Sequence, residues 1–198
     1  MYITGIGNGK NIFYRIMKDS CSDIELVSYN EFINRRCSGI VFYDGLMLKE
    51  AENILKNCNS ALIVFLTPKV IYTFGNVMKN LQKDTIDNFV CGECSLKRLK
   101  EKLFTLKLFD SLVDRLDYLT VENSFLDEYV HFSMILKKII GVEKVNTIYT
   151  YDLHSSLCKS YEITGLTMCP NCDNNEYSQD KMYRELSFLL EGDEYNDL

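Results

Sequence analysis

The chain has 198 residues, of which 46% are hydrophobic and 25% charged, and its formal net charge is −6 at pH 7. This size predicts one compact domain, or one domain with a small appendage, and the acidic balance argues against a general nucleic-acid binder. The N-terminal stretch lacks the apolar core of a signal peptide, and the apolar runs are too short to span a bilayer, so we expect a cytoplasmic protein that binds neither membrane nor nucleic acid.

Short apolar runs alternate with helix-like stretches over residues 1–75. Strands are predicted at MYIT, DIELV, SGIVFYDG and ALIVFL, and helices at NIFYRIMKD, YNEFINRR and MLKEAENILKN. This alternation is typical of crossover units, in which parallel strands are joined by helices that cover the sheet. The predicted fold class is α/β, with a mostly parallel sheet.

The pattern changes near residue 80. An amphipathic helix is predicted from 95 to about 119, and SFLDEYVHFSMILKKIIG predicts a second. VEKVNTIYTYD and LCKSYEITG then alternate polar and apolar residues around a turn, which predicts a hairpin, and a helix is possible in the tail. We divide the chain into an α/β part, 1–80, and a helical and hairpin part, 81–198, packed on it as one compact unit.

Two cysteine knuckles stand far apart in the second part, CGEC at 91–94 and CPNC at 169–172. The sulfurs of one such turn can converge on a metal ion, and two turns complete a tetrahedral zinc site. All four positions would then be occupied by Cys91, Cys94, Cys169 and Cys172, leaving none for water or substrate. We therefore expect structural rather than catalytic zinc.

Two other interpretations of these cysteines stay open, a redox-active pair and simple burial as small apolar residues. The absence of an export signal favours a reducing compartment, where close cysteine pairs are more often metal ligands than disulfides. The remaining cysteines are interpreted as buried bystanders, with Cys158 as an alternative ligand because it is near the second knuckle. They are Cys21, Cys37, Cys58 and Cys158.

A glycine-rich stretch, GIGNGK, follows the first predicted strand. Gly5, Gly7 and Gly9 could let the backbone approach a phosphate in front of a helix N-terminus. The spacing departs from that of dinucleotide-binding loops, and no Ser or Thr follows Lys10 as in a P-loop. The favoured interpretation is a tight structural turn, with a degenerate cofactor-binding site as the alternative.

Neither histidine is part of a recognisable catalytic arrangement. His131 falls in a predicted helix and His154 in the predicted hairpin turn, and no cysteine or serine beside them forms a nucleophile motif. We predict no catalytic residue.

The order of these features resembles the ThiF-like, ubiquitin-activating-enzyme superfamily. An α/β part with GIGNGK precedes a strand ending in YTFGN, then CGEC at a helix start, two helices, a hairpin and CPNC. The chain is similar to the zinc-binding subunits of thiazole/oxazole-modified microcin cyclodehydratase complexes. The resemblance implies a degenerate Rossmann-like (ThiF-like) sheet followed by a zinc-clamped segment, with Pro170 as the turn proline of the second knuckle.

The same resemblance implies a function and partners. Members of this branch have lost adenylating chemistry and work with a YcaO-type ATP-dependent cyclodehydratase on a ribosomal precursor peptide, whose Cys, Ser and Thr become azolines. A flavin dehydrogenase often completes the oxidation, and homodimers are common in the superfamily. Members usually begin with a winged-helix element that grips the leader peptide. Here the sheet is predicted to start at residue 2, so we expect leader recognition elsewhere.

Two further functions remain as alternatives to a non-catalytic scaffold subunit. The first is an ATP-dependent adenylating enzyme that acts on a peptide or carrier-protein carboxylate through the glycine stretch. The second is a zinc-ribbon regulatory protein, against which the net charge of −6 argues.

Overall fold

The computed structural model describes residues 1–19, 23–58, 61–75, 90–103, 125–141, 146–166 and Cys169. Its strands are β1 (Tyr2–Ile6), β2 (Glu25–Leu26), β3 (Gly39–Asp44), β4 (Ala61–Leu66), β5 (Val70–Gly75), β6 (Thr147–Asp152) and β7 (Cys158–Glu162). Its helices are α1 (Gly9–Lys18), α2 (Tyr29–Asn34), α3 (Leu48–Asn57), α4 (Gly92–Leu103) and α5 (Leu126–Gly141). The strands form one seven-stranded sheet in the order β2-β1-β3-β4-β5-β6-β7.

The first half of this sheet is parallel, as the alternating pattern predicts. β1 pairs in parallel with β2 and with β3, and β3 pairs in parallel with β4. Every residue of β3 and β4 is buried, which explains why their sequences are nearly continuous apolar runs. The α/β fold class with a Rossmann-like arrangement is confirmed.

The second half of the sheet is antiparallel, and within residues 1–75 only β5 departs from the predicted, mostly parallel arrangement. β4–β5, β5–β6 and β6–β7 all pair antiparallel. A tight turn reverses the chain after β4, where the Thr67 hydroxyl donates to the Val70 carbonyl at 2.6 Å and accepts from the Val70 N–H at 3.1 Å. A connection this short leaves no room for a crossover helix, so the next strand must run back.

The predicted hairpin is confirmed as β6 and β7. At its turn the Asp152 carboxylate accepts hydrogen bonds from the N–H groups of His154 and Ser155, at 2.9 and 2.8 Å. Since β6 pairs with β5, strands from both sides of residue 80 belong to one sheet.

Helices cover both faces of the sheet, so the core has two parts. Ile40 and Phe42 of β3 pack towards α1 and α5, whereas Val41 and Tyr43 pack on the opposite face, with α2, α3 and α4. This division follows from the alternation of side chains along a strand.

The two predicted long helices are α4 and α5. α4 begins at Gly92 rather than at 95 and is described as far as Leu103. The remainder of that predicted helix, the predicted tail helix and the polar stretch at 76–89 lie outside the described residues. Within the described part, each helix falls short of the length and apolarity that crossing a membrane requires.

Phe13 of α1 joins three elements on the α1/α5 face. Its ring stacks on Phe42 of β3 at a centroid distance of 4.7 Å and meets the ring of Phe132 of α5 edge-on at 5.8 Å. Phe13 is fully buried, so it ties both helices to the centre of the sheet.

Replacing Phe13 with alanine is expected to lower the free energy of unfolding by about 3–5 kcal/mol, because it leaves a cavity among three packed elements. Urea unfolding followed by circular dichroism measures the loss. Arg15→Ala, an exposed change on the same helix, is the control and should stay within about 0.5 kcal/mol of the parent. Equal losses in both variants would contradict this account of the core.

Candidate metal centre and the glycine loop

Three buried cysteines from distant parts of the chain meet at one point. The sulfur atoms of Cys91, Cys94 and Cys169 all lie within 4.8 Å of one another, and those of Cys91 and Cys169 are 3.6 Å apart. A disulfide would need about 2.05 Å. Sulfurs that share a tetrahedral zinc ion at about 2.3 Å are separated by about 3.8 Å. The three cysteines are therefore close enough to bind one metal ion, and their spacing fits zinc.

The first two sulfurs are supplied by the start of α4. Cys91 precedes the helix, and its carbonyl accepts a hydrogen bond from the Ser95 N–H at 3.0 Å, while Cys94 lies in the first turn. The partial positive charge of a helix N-terminus favours thiolates over thiols there.

Gly92, between these two cysteines, allows α4 to approach α3. A Cβ at this position would lie 2.5 Å from the Cδ2 atom of Leu55. The glycine of CGEC therefore has a packing role that the knuckle pattern alone does not reveal.

The third sulfur is supplied by the segment that follows β7. The Leu166 N–H donates to the Cys94 sulfur at 3.4 Å, and the Cys169 N–H donates to the Leu166 carbonyl at 3.2 Å. A backbone N–H directed at sulfur stabilises the charged thiolate that a metal requires.

The other predicted ligands have different outcomes. Cys172 and Pro170 lie outside the described residues, so the fourth ligand remains a prediction. Cys158, the alternative ligand, is exposed on the edge strand β7 and is not in the group.

The predicted bystanders are partly described. Cys37 and Cys58 are buried elsewhere on the α2/α3 face, and burial raises the pKa of the Cys58 thiol, which makes it a poorer ligand. Cys21 lies outside the described residues.

The glycine stretch lies where this fold offers a ligand crevice. β2 and β3 flank β1 on opposite sides, so the chain reverses its direction of travel across the sheet between β1 and β3. In open α/β sheets, ligands bind at such a point, beyond the carboxyl ends of the strands. Here the Asp44 carboxylate, at the end of β3, accepts hydrogen bonds from the N–H groups of Asn8 at 2.7 Å and Gly9 at 3.0 Å.

Other residues of this protein pack against each of the three glycines. Gly7 has a φ of +104°, and a Cβ there would overlap the Asp44 carboxyl group, so only glycine fits. The carbonyl of Gly5, in β1, accepts a hydrogen bond from the Lys10 ammonium at 2.9 Å, and Gly9 begins α1. The amides that would face a phosphate donate instead to an internal carboxylate.

Asp44 is the site residue that the sequence analysis missed. Its signal was available, since FYDG places an acidic residue at the end of a predicted strand. What the sequence could not supply is the pairing of β3 beside β1, which brings this carboxylate to the glycine loop.

The two histidines contact aromatic residues, away from the cysteine group. His131 Nδ1 is 2.9 Å from the Tyr151 hydroxyl, and the His154 ring meets Phe125 edge-on at 5.7 Å. Neither belongs to the cysteine group.

Solved structures of a microcin synthetase and of a heterocyclase share this fold. A chain of the E. coli microcin synthetase McbBCD complex matches with a TM-score of 0.56 and 10% identity, over 85% of this chain and 66% of that one. The same complex with pro-MccB17 bound matches at 0.51 and 13%, over 85% and 69%. A heterocyclase in complex with substrate and cofactor matches at 0.57 and 16%, over 91% and 26%.

The chain is similar to these proteins in structure rather than in sequence. The chain spans about two thirds of the microcin synthetase chain and about a quarter of the heterocyclase. Neither a family model nor a curated protein matches the sequence. At these identities, the comparisons show a shared fold.

Replacing Asp44 with alanine is expected to lower the free energy of unfolding by about 1–3 kcal/mol, since two loop N–H groups lose their acceptor. Asp44→Asn keeps one acceptor oxygen and should lose less. Gly7→Ala should be destabilised as well, because its Cβ meets the carboxylate in a backbone conformation that alanine avoids. Chemical denaturation measures all three, and an Asp44→Ala variant as stable as the parent would contradict the inferred contact.

Proposed function

We propose that the chain is a non-catalytic, zinc-stabilised subunit of a complex that forms azolines in a ribosomal peptide. The observation that carries this proposal is the meeting of Cys91, Cys94 and Cys169 on a fold shared with a microcin synthetase chain. The partner would be a YcaO-type ATP-dependent cyclodehydratase, and the substrate a precursor peptide. A flavin dehydrogenase and a second copy of this chain are further partners in the proposal.

Zinc is the metal proposed, with Cys172 as the fourth ligand. Buried thiolates with no position left for water suit a structural zinc ion rather than a catalytic one. Such an ion supplies a cross-link between α4 and the segment after β7. Because those two parts are far apart in the chain, the cross-link would stabilise the folded state strongly, by an amount on the order of 10 kcal/mol in small zinc domains.

The contact between Asp44 and the loop amides supports a scaffold rather than the alternative, an adenylating enzyme. An ATP phosphate at this loop would compete with a carboxylate already bonded to the amides of Asn8 and Gly9. In this proposal Gly5, Gly7 and Gly9 are the remnant of a cofactor loop and now serve as a turn.

The third candidate, a zinc-ribbon regulator, has less support. A zinc ribbon holds its metal between short hairpins. Here Cys91 and Cys94 lie at the start of the helix α4, and Cys169 lies in a segment that is distant in the chain. The net charge of −6 also argues against binding to nucleic acid.

Metal analysis tests the zinc centre. Protein purified without added metal should contain about one zinc per chain, and a Cys169→Ser/Cys172→Ser variant should contain almost none and unfold at lower urea concentration. Cys158→Ser, a change at an exposed cysteine outside the group, should keep both zinc and stability. A parent protein without metal, or a double variant with unchanged metal content, would contradict the proposal.

Reconstitution tests the role in a complex. The chain alone is expected to show no ATP–pyrophosphate exchange, since the proposed subunit does not adenylate. Together with a YcaO-type cyclodehydratase and its precursor peptide, it should support azoline formation, seen by mass spectrometry as a loss of about 18 Da per ring, the mass of one water. Exchange activity in the isolated chain would favour the adenylating enzyme instead.

A further inference from the structure

Arg98 is a charged residue buried beside the cysteine group. It lies on α4, one helical turn after Cys94, and only 3% of its surface is exposed. Burying a guanidinium is costly unless it is paired and hydrogen-bonded, so its partners indicate what it does for the fold.

The Arg98 guanidinium forms hydrogen bonds in two directions. Nε donates to the Thr164 carbonyl at 3.2 Å, and Nη2 lies 3.4 Å from the Thr164 hydroxyl. Nη1 donates to the Glu101 carboxylate at 2.9 Å, on the same helix. The planar guanidinium therefore fixes the segment after β7 against α4, with Glu101 balancing its charge.

The contact with Thr164 leads directly to the sulfur atoms. Two residues further along the chain, the Leu166 N–H donates to the Cys94 sulfur, and the Leu166 carbonyl accepts from the Cys169 N–H. A displacement of Thr164 would move both of these bonds, and with them the position of the third sulfur.

Asn146 makes a second link between the same two parts of the chain. Its side-chain carbonyl accepts from the Val90 N–H at 2.9 Å, next to Cys91, and its backbone carbonyl accepts from the Ile163 N–H at 2.9 Å. One residue therefore holds the positions that flank Thr164 and Cys91.

We propose that Arg98 is a positioning residue for the metal centre, assisted by Asn146. It holds residues 163–166 against α4 so that the sulfur of Cys169 meets those of Cys91 and Cys94. The inference rests on the proposed metal centre and adds that the site is pre-organised by bonds that need no metal.

Metal release to a chelator tests this role. Arg98→Gln removes the charge, and Arg98→Lys keeps the charge but loses the planar guanidinium with its several N–H donors. Asn146→Ala removes the acceptor of the Val90 N–H. Each should weaken metal affinity and speed release about 10–100-fold, the range typical of residues that orient metal ligands. Lys97→Gln is the matched control, because it removes one positive charge from an exposed side chain next to Arg98 on the same helix, and its release should stay within about threefold of the parent.

Cobalt substitution adds a readout that a loss of general stability would not change. The thiolate-to-cobalt charge-transfer bands report the geometry around the metal, and they should shift or weaken in both Arg98 variants while circular dichroism stays native. If Arg98→Gln does not fold, Arg98→Lys decides, since it changes only the hydrogen-bond geometry.

The outcomes separate this inference from the function on which it rests. Parent-like release and cobalt spectra in a folded Arg98→Lys variant would overturn the positioning role and leave the zinc centre intact. Equal effects in Lys97→Gln and Arg98→Gln would also overturn it, since the loss of one positive charge rather than the contact with Thr164 would then be the cause. A parent chain that binds no metal would overturn the metal centre itself, and this inference with it.

Discussion

Burial of every residue in β3 and β4 is the constraint on which the rest of the structure depends. Strands that present apolar side chains on both faces need cover on both, and a sheet with one bare face would leave half of that surface in water. α1 and α5 cover one face, and α2, α3 and α4 cover the other. The three cysteines belong to the core on the face covered by α2, α3 and α4, so the candidate metal centre is part of the packing that shields the central strands from water.

Side chains of the protein itself lie at the N-termini of two covering helices, α1 and α4. At the start of α1, the carboxylate of Asp44 occupies the N–H groups that this fold offers to phosphate. At the start of α4, the sulfur atoms of Cys91 and Cys94 lie within 4.8 Å of each other and of the Cys169 sulfur, close enough to bind one metal ion. Both arrangements use the partial positive charge of a helix N-terminus, one for an internal anion and one for thiolates.

Much of the fold was predictable because its signals are local. The apolar runs of β3 and β4, the helical spacing of α1 and α3 and the turn between β6 and β7 can each be recognised within about ten residues. The antiparallel direction of β5 was not predicted. It depends on the three-residue turn after β4, and the composition of that turn does not indicate how the next strand pairs in the sheet. The start of α4 was placed three residues too late: the helix begins at Gly92, where a Cβ would lie 2.5 Å from the Cδ2 atom of Leu55 of α3.

The sequence by itself determined the α/β class, and it supplied two cysteine pairs at a spacing typical of metal ligands and a glycine stretch whose spacing departs from that of dinucleotide-binding loops. These follow from residue types and short spacings. Only the tertiary structure decided that Cys169 meets Cys91, 78 positions away, that Asp44 reaches the loop of Asn8 and Gly9, and that Arg98 is buried against Thr164. Each of these contacts depends on the pairing of strands that are distant in sequence, because the sheet sets which strand ends come together.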